Sequence, residues 1–182
     1  GLLALRAQLN FDAASVERVI CRMPPGGTQV LTYRHPETGL EGKFSLDYPL
    51  AAGVLDGGCT LATYTDEAVR RPEIHALYPR IEAGEDPACR GDDPRFEQLS
   101  SGSRGFVEVE VVLRDGRSGK LRVAKAPGAP SRELTWEELH AKFSDCARHG
   151  GHVTAGTADA AFERIRNLER IADIGEITAP LA

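Results

Sequence analysis

Between Arg34 and Tyr48 the sequence RHPETGLEGKFSLDY gathers Arg34, His35, Lys43, Ser45 and Tyr48 on a loop that leads into the start of a helix. Unpaired amides and the macrodipole at a helix N-terminus favour an anion, and the cationic side chains nearby add to that preference. A small carboxylate suits such a place. The Tyr48 phenol can act there as a hydrogen-bond donor or an acid, with Lys43 as a charge partner. The same residues also admit a plainer reading, in which Tyr48 packs in the core and Lys43 is an ordinary solvated lysine.

Other constellations carry less. Cys146, His149 and His152 form a C-x2-H-x2-H run, and one thiolate with two imidazoles is three-quarters of a tetrahedral zinc site. Helical spacing, however, puts Cys146 on the buried side of its helix and both histidines in a glycine-rich exit turn, so no metal is expected. Gly102-Ser103-Arg104-Gly105 stands before a strand, whereas a phosphate-cradling loop opens a helix, so no nucleotide site is expected either. A Gly-x-Ser-x-Gly nucleophile elbow does not occur.

The elements that position these residues follow from periodicity. Leu2, Leu3, Leu5 and Leu9 have helical spacing with no capping residue before them, which reads as a helix continued from an earlier stretch of chain. Val16 to Met23 alternates as a strand and ends at Pro24-Pro25-Gly26-Gly27. Residues 28–42 read as a long surface loop. Residues 43–57 then read as a helix, with apolar positions 46, 50, 51, 54 and 55, Ser45 or Asp47 as N-cap, and Pro49 in the first turn. Thr65 starts another helix and Pro72 a short one through Tyr78, and residues 84–104 read as loop. Phe106 to Leu113 and Lys120 to Ala124 alternate on either side of Asp115-Gly116, a hairpin signature. Thr135-Trp136-Glu137-Glu138 is a capping box for a helix with Leu139, Phe143 and Cys146 or Ala147 on its inner face. A last helix from about Thr157 would bury Ala161, Phe162, Ile165 and Leu168. The sum is an α+β fold, helices packed on a small mixed or antiparallel sheet over residues 1–150, with a helical tail over 151–182.

Composition sets limits on function. The 182 residues carry 27 acids against 22 bases, a net charge of −5, which argues against a broad nucleic-acid surface. No apolar run approaches the ~20 residues of a membrane span. Cysteines 21, 59, 89 and 146 lack paired spacing, which favours reduced thiols and a cytoplasmic setting.

The segment Glu41-Gly42-Lys43-Phe44-Ser45-Leu46-Asp47-Tyr48 running into an alanine-rich helix and Leu55-Asp56-Gly57-Gly58 resembles the carboxy-terminal half of MmgE/PrpD proteins, the family of 2-methylcitrate dehydratase. Ala126-Pro127-Gly128-Ala129-Pro130, followed by Leu134 to Leu139 and by Lys142-Phe143, is a second match. The Val16 to Met23 strand and the Thr65 to Val69 helix start fall in the order the family would give.

The resemblance implies a two-part enzyme in which this chain is the carboxy-terminal α/β domain and a larger helical domain, absent here, precedes it. It implies a lyase or isomerase acting on a small di- or tricarboxylic acid without cofactor or metal, and a homodimer. Tyr48 would correspond to an active-site tyrosine, flanked by Lys43 and Ser45. Arg34 and His35, taken from the residue types of the loop and not from the resemblance, are further candidate substrate contacts. Lys43-Phe44-Ser45 departs from what the resemblance would give a methylcitrate dehydratase or a decarboxylase at those positions. The chain would supply one wall of the site and be inactive alone. The competing expectation is a stand-alone α+β module that binds or senses a small acid without chemistry.

Overall fold

The computed structural model describes residues 1–100 and 103–181. The fold is α+β, and the chain forms two compact units, Gly1–Ala126 and Pro127–Ala182. The division falls before the capping-box helix, so that helix belongs with the tail and not with the sheet, where the expected boundary after residue 150 would put it.

The first unit is built on strands β1 (Val16–Met23), β2 (Ile81–Glu85), β3 (Val107–Leu113) and β4 (Ser118–Val123), ordered β2-β1-β3-β4 in a mixed sheet. β1 pairs parallel with β2, Cys21 opposite Ala83, and antiparallel with β3, Cys21 opposite Val109. The β3–β4 hairpin forms as the alternation predicts. A register shift between Val16 and Arg18 lets Val16 face the same side as Val19 and Cys21, although the spacing is odd. Those side chains, with Ile81, Ala83, Val109, Val111 and Leu113, form the buried face. The opposite face is charged, with Arg18 and Arg22 each 3.3 Å from Glu82 and Lys120 2.5 Å from Glu108. β2 has no counterpart in the sequence reading, which assigns nothing between Tyr78 and the loop that starts at residue 84. Its sequence, IEAGE, is short, contains a glycine, and lies at a sheet edge, so it carries little strand signal.

Two helices lie against the buried face. α1 (Leu2–Leu9) contributes Leu2 and Leu5, and α3 (Asp47–Asp56) contributes Tyr48, Leu50, Ala51, Ala52 and Val54. Between β1 and α3 comes the four-residue α2 (Gly39–Gly42), a helix the sequence reading missed, capped by Thr38, whose Oγ1 accepts from the Glu41 amide. Gly39 is required there, since a Cβ would come within 2.1 Å of the Tyr64 carbonyl oxygen. α4 (Asp66–Val69), capped by Thr65, and α5 (Pro72–His75), opened by proline, complete the crossover from β1 to β2.

The second unit pairs α6 (Trp136–Gly150) with α7 (Ala155–Arg166) and ends in α8 (Gly175–Thr178). The Thr135/Glu138 capping box is present in full. Phe162 is the centre of this unit, with the rings of His140 and Phe143 at 4.8 and 5.5 Å. Two expectations about this unit are corrected. Cys146 is exposed and not buried, and Ile165 and Leu168 are 38% and 51% exposed because the pair is only two helices deep. No helix among the described residues is long and apolar enough to cross a membrane.

Candidate active-site wall

The carboxyl ends of the two parallel strands, β1 and β2, open toward one edge of the first unit, the place where open sheets with parallel strands commonly receive ligands. The chain leaves β1 at Pro24 and is pinned to the end of β2, where the Thr28 amide and hydroxyl both donate to Glu85 Oε1, at 3.0 and 2.6 Å. Those bonds hold the Glu85 carboxyl below its ordinary range. It then meets its own continuation: the Tyr33 amide donates to the Phe44 carbonyl at 3.1 Å, and Tyr33 and Ser45 form a parallel bridge. This crossing brings Arg34 and His35 beside the segment that carries Lys43, Ser45 and the start of α3.

Arg34 is the best-anchored of these. Its Nη1 donates to the Ala83 carbonyl in β2 at 3.1 Å, and its Nε stands 2.8 Å from Oδ2 of Asp47, the first residue of α3. Asp47 is almost wholly buried, whereas the Arg34 side chain is 61% exposed. Burial raises the Asp47 carboxyl above its ordinary value, against the opposing pull of Arg34 and His35. His35 is exposed and lies flat on Tyr78, ring centroids 4.4 Å apart at 17°. The Tyr78 hydroxyl is buried without a hydrogen-bond partner among the described residues, and burial pushes its phenol up to about 12. Lys43 is exposed just after α2, as are the apolar side chains of Leu40 and Phe44.

Ser45 and Tyr48 are placed differently. Ser45 is buried, and its Oγ accepts from the Tyr48 amide at 3.1 Å, so it satisfies an orphan amide of the helix start. Ser45 thus takes one amide of the N-terminus that sequence reasoning offered to a ligand carboxylate, and the Asp47 carboxyl adds its own negative charge to that first turn. Tyr48 has no exposed surface; its hydroxyl donates to the Thr63 carbonyl and its ring meets Tyr64 edge-on at 5.8 Å. In this conformation no substrate reaches that phenol. The geometry is that of the plainer alternative, a core tyrosine with a satisfied hydroxyl.

The structure therefore leaves Arg34, His35 and Lys43 exposed, the first two just after the point where their segment crosses the one that carries Lys43, and turns Ser45 and Tyr48 inward. It adds Asp47 and Tyr78, which sequence reasoning used only as a candidate cap and as the end of a short helix. A guanidinium fixed on two sides and open on its remaining edge is suited to a carboxylate. The C-x2-H-x2-H run does not converge: no group of three His, Cys, Asp or Glu side chains able to hold a metal ion occurs among the described residues. Gly102, in the glycine-containing stretch weighed as a phosphate loop, lies outside the described residues.

Comparison with known proteins gives this arrangement a context. The model of the MmgE/PrpD C-terminal domain matches residues 1–170. The chain is similar to the cis-aconitate decarboxylase of Homo sapiens, 27% identical over 180 residues that cover 99% of this chain and 34% of that protein. It is similar to the mouse (Mus musculus) cis-aconitate decarboxylase at 24% identity over 168 residues, 92% of this chain and 32% of that protein. The chain thus spans about a third of the length of the curated relatives it matches.

Proposed function

Because this chain belongs to the MmgE/PrpD family, matching its C-terminal domain, we propose that it forms one carboxylate-binding wall in the active site of a lyase or isomerase acting on a small di- or tricarboxylic acid. Arg34 receives a substrate carboxylate, and His35 and Lys43 lie on the same edge as further contacts. The observation that carries the reading is the Arg34 guanidinium, anchored on Asp47 and Ala83 and still open to an incoming anion. Both matched relatives are named for cis-aconitate, a tricarboxylate, which supports that class of substrate.

The remaining wall belongs in this proposal to an amino-terminal helical domain, and the working enzyme is a cofactor-independent, cytoplasmic homodimer. The wall's own chemistry is positional. A fixed guanidinium lowers the entropy of holding the substrate and neutralises one carboxylate, so that proton gain or loss at the neighbouring carbon meets less charge repulsion. Exposed Tyr33, Leu40 and Phe44 flank the same edge and offer apolar surface for the opposite wall to cover.

The test is turnover of cis-aconitate, citrate and 2-methylcitrate by the full-length protein, followed by product analysis, with wild type and Arg34→Gln compared. The reading expects turnover of at least one of these acids and a large loss in the variant. Turnover indifferent to Arg34, or binding of the acids with no conversion, would overturn it, the latter in favour of a small-acid-binding module.

A further inference from the structure

Asp47 is 2% exposed, and a carboxylate so far out of water is costly unless it is paired and hydrogen-bonded. Its Oδ2 has no hydrogen bond among the described residues: Arg34 Nε is close enough to attract it, at 2.8 Å, but off the line a hydrogen bond needs. The pair is lopsided, one member enclosed and the other largely in solvent. A neutral residue would serve the fold at least as well, since burying a charge against an exposed partner recovers little of its desolvation cost. What the charge does achieve is order in Arg34. A long exposed side chain ordinarily samples many rotamers, yet this one is held from α3 at Nε and from β2 at Nη1.

We infer that Asp47 is the positioning residue of a carboxylate clamp: its buried charge and the Ala83 carbonyl fix the Arg34 guanidinium so that the outer edge meets a carboxylate of the substrate without reorganisation. This rests on the reading of Arg34 as a carboxylate contact and deepens it. Asp47 does not touch substrate; it acts through Arg34. His35 and the buried Tyr78 hydroxyl share its electrostatic surroundings. The upward displacement of the Asp47 carboxyl by burial is the expected cost of keeping a charge there for another residue's sake.

The experiment uses the full-length protein as wild type, Asp47→Asn, Arg34→Gln and the double variant. Asp47→Ser is carried in parallel so that a folding failure of the asparagine variant leaves the comparison standing. The first readout is the rate at which phenylglyoxal modifies Arg34, followed by mass spectrometry, with and without tricarballylate, a saturated tricarboxylate. Loss of the Asp47 charge should speed modification and raise the half-protecting tricarballylate concentration by about 10- to 100-fold, the scale on which misplacing a positioned group is felt. The second readout is steady-state kinetics with cis-aconitate. KM should rise on the same scale while kcat changes much less, and the double variant should be no worse than Arg34→Gln alone.

Unchanged modification and protection in Asp47→Asn, or losses that add in the double variant, would overturn the inference. If tricarballylate fails to protect the wild type and no acid is turned over, the carboxylate reading falls by itself. The modification rates then decide about Asp47 alone: faster in the variant supports its hold on Arg34, and equal rates refute it.

Discussion

Asp47 and Tyr48 are adjacent in the chain, both buried at the start of α3, and their polar atoms are treated in opposite ways. The Tyr48 hydroxyl donates to Thr63 and its amide is taken up by Ser45, so each polar group has a partner from a neighbouring element. Asp47 Oδ2 and the nearby Tyr78 hydroxyl have no hydrogen bond among the described residues, and the cation beside Asp47 points largely into solvent. Buried polar groups that are satisfied stabilise and specify a fold, whereas those left short are tolerated where something else is gained. By that measure the Tyr48 corner is structure, and the Arg34–Asp47 corner is where the proposed carboxylate contact would supply the gain.

The largest effect that would sharpen this contrast is on the Arg34 side. Arg34→Gln in the full-length protein should lower kcat/KM for its carboxylate substrate by about 100-fold, the scale of losing a charged partner from a desolvated contact. Thermal melting should fall as well at neutral pH, because glutamine leaves the buried Asp47 carboxylate without its cation, and the fall should shrink at acid pH as that carboxyl is protonated. Arg34→Lys should recover only part of the loss, since an ammonium cannot span Ala83 and Asp47 while presenting a second donor edge. A wild-type rate in either variant would break the comparison.

Next in size is Tyr48→Phe. Losing the hydroxyl and orphaning the Thr63 carbonyl should cost about 1 kcal/mol of folding free energy, read as a lower Tm, with kinetics close to wild type. A large fall in kcat at unchanged stability would return Tyr48 to the catalytic role its sequence position suggests.

Asp47→Asn should affect stability in the opposite sense to a structural residue. The folded-state value of Asp47 lies above its ordinary 3.8. Its titration therefore supports the fold fully below that ordinary value, and the support is lost as pH rises through the folded one. Asparagine removes this loss, so the melting temperature of the variant relative to wild type should climb as pH rises from below 3.8 toward neutrality. A variant less stable than wild type at neutral pH would show that the carboxylate serves the fold. The smallest effect is expected at Lys43. Lys43→Ala should raise KM by less than about 5-fold and spare kcat, because an exposed ammonium makes a screened contact.

Much of the fold was legible in the sequence, and the reasons are local. The β3–β4 hairpin declares itself by alternation around Asp115-Gly116, α6 by its capping box, and β1 by its boundaries at Val16 and Met23. β2 was not legible, because five residues including Gly84 gain their strand geometry from pairing with β1 and not from propensity. α2 is a single turn whose position depends on Gly39 fitting against Tyr64, a tertiary contact. At the site, the segment 34–48 was recognisable by residue type, and the Tyr33–Ser45 bridge does draw its two ends together. Which of its residues face inward was not. Successive helical residues are ~100° apart, and both Asp47 and Tyr48 are enclosed only because α3 packs against β2 as well as α1 and α5, a tertiary fact that periodicity does not carry. The periodicity placed Leu46 and Leu55 inside, whereas Tyr48 and Ala52 are buried and both leucines are only partly so.

The measurement closest to the central claim is equilibrium binding of tricarballylate to the full-length protein by titration calorimetry, for wild type and Arg34→Gln. The account predicts saturable binding to the wild type that weakens by about 100-fold in the variant, as the loss of a charged hydrogen-bonding partner would give. Equal affinity in the two proteins would contradict it and place the acid elsewhere.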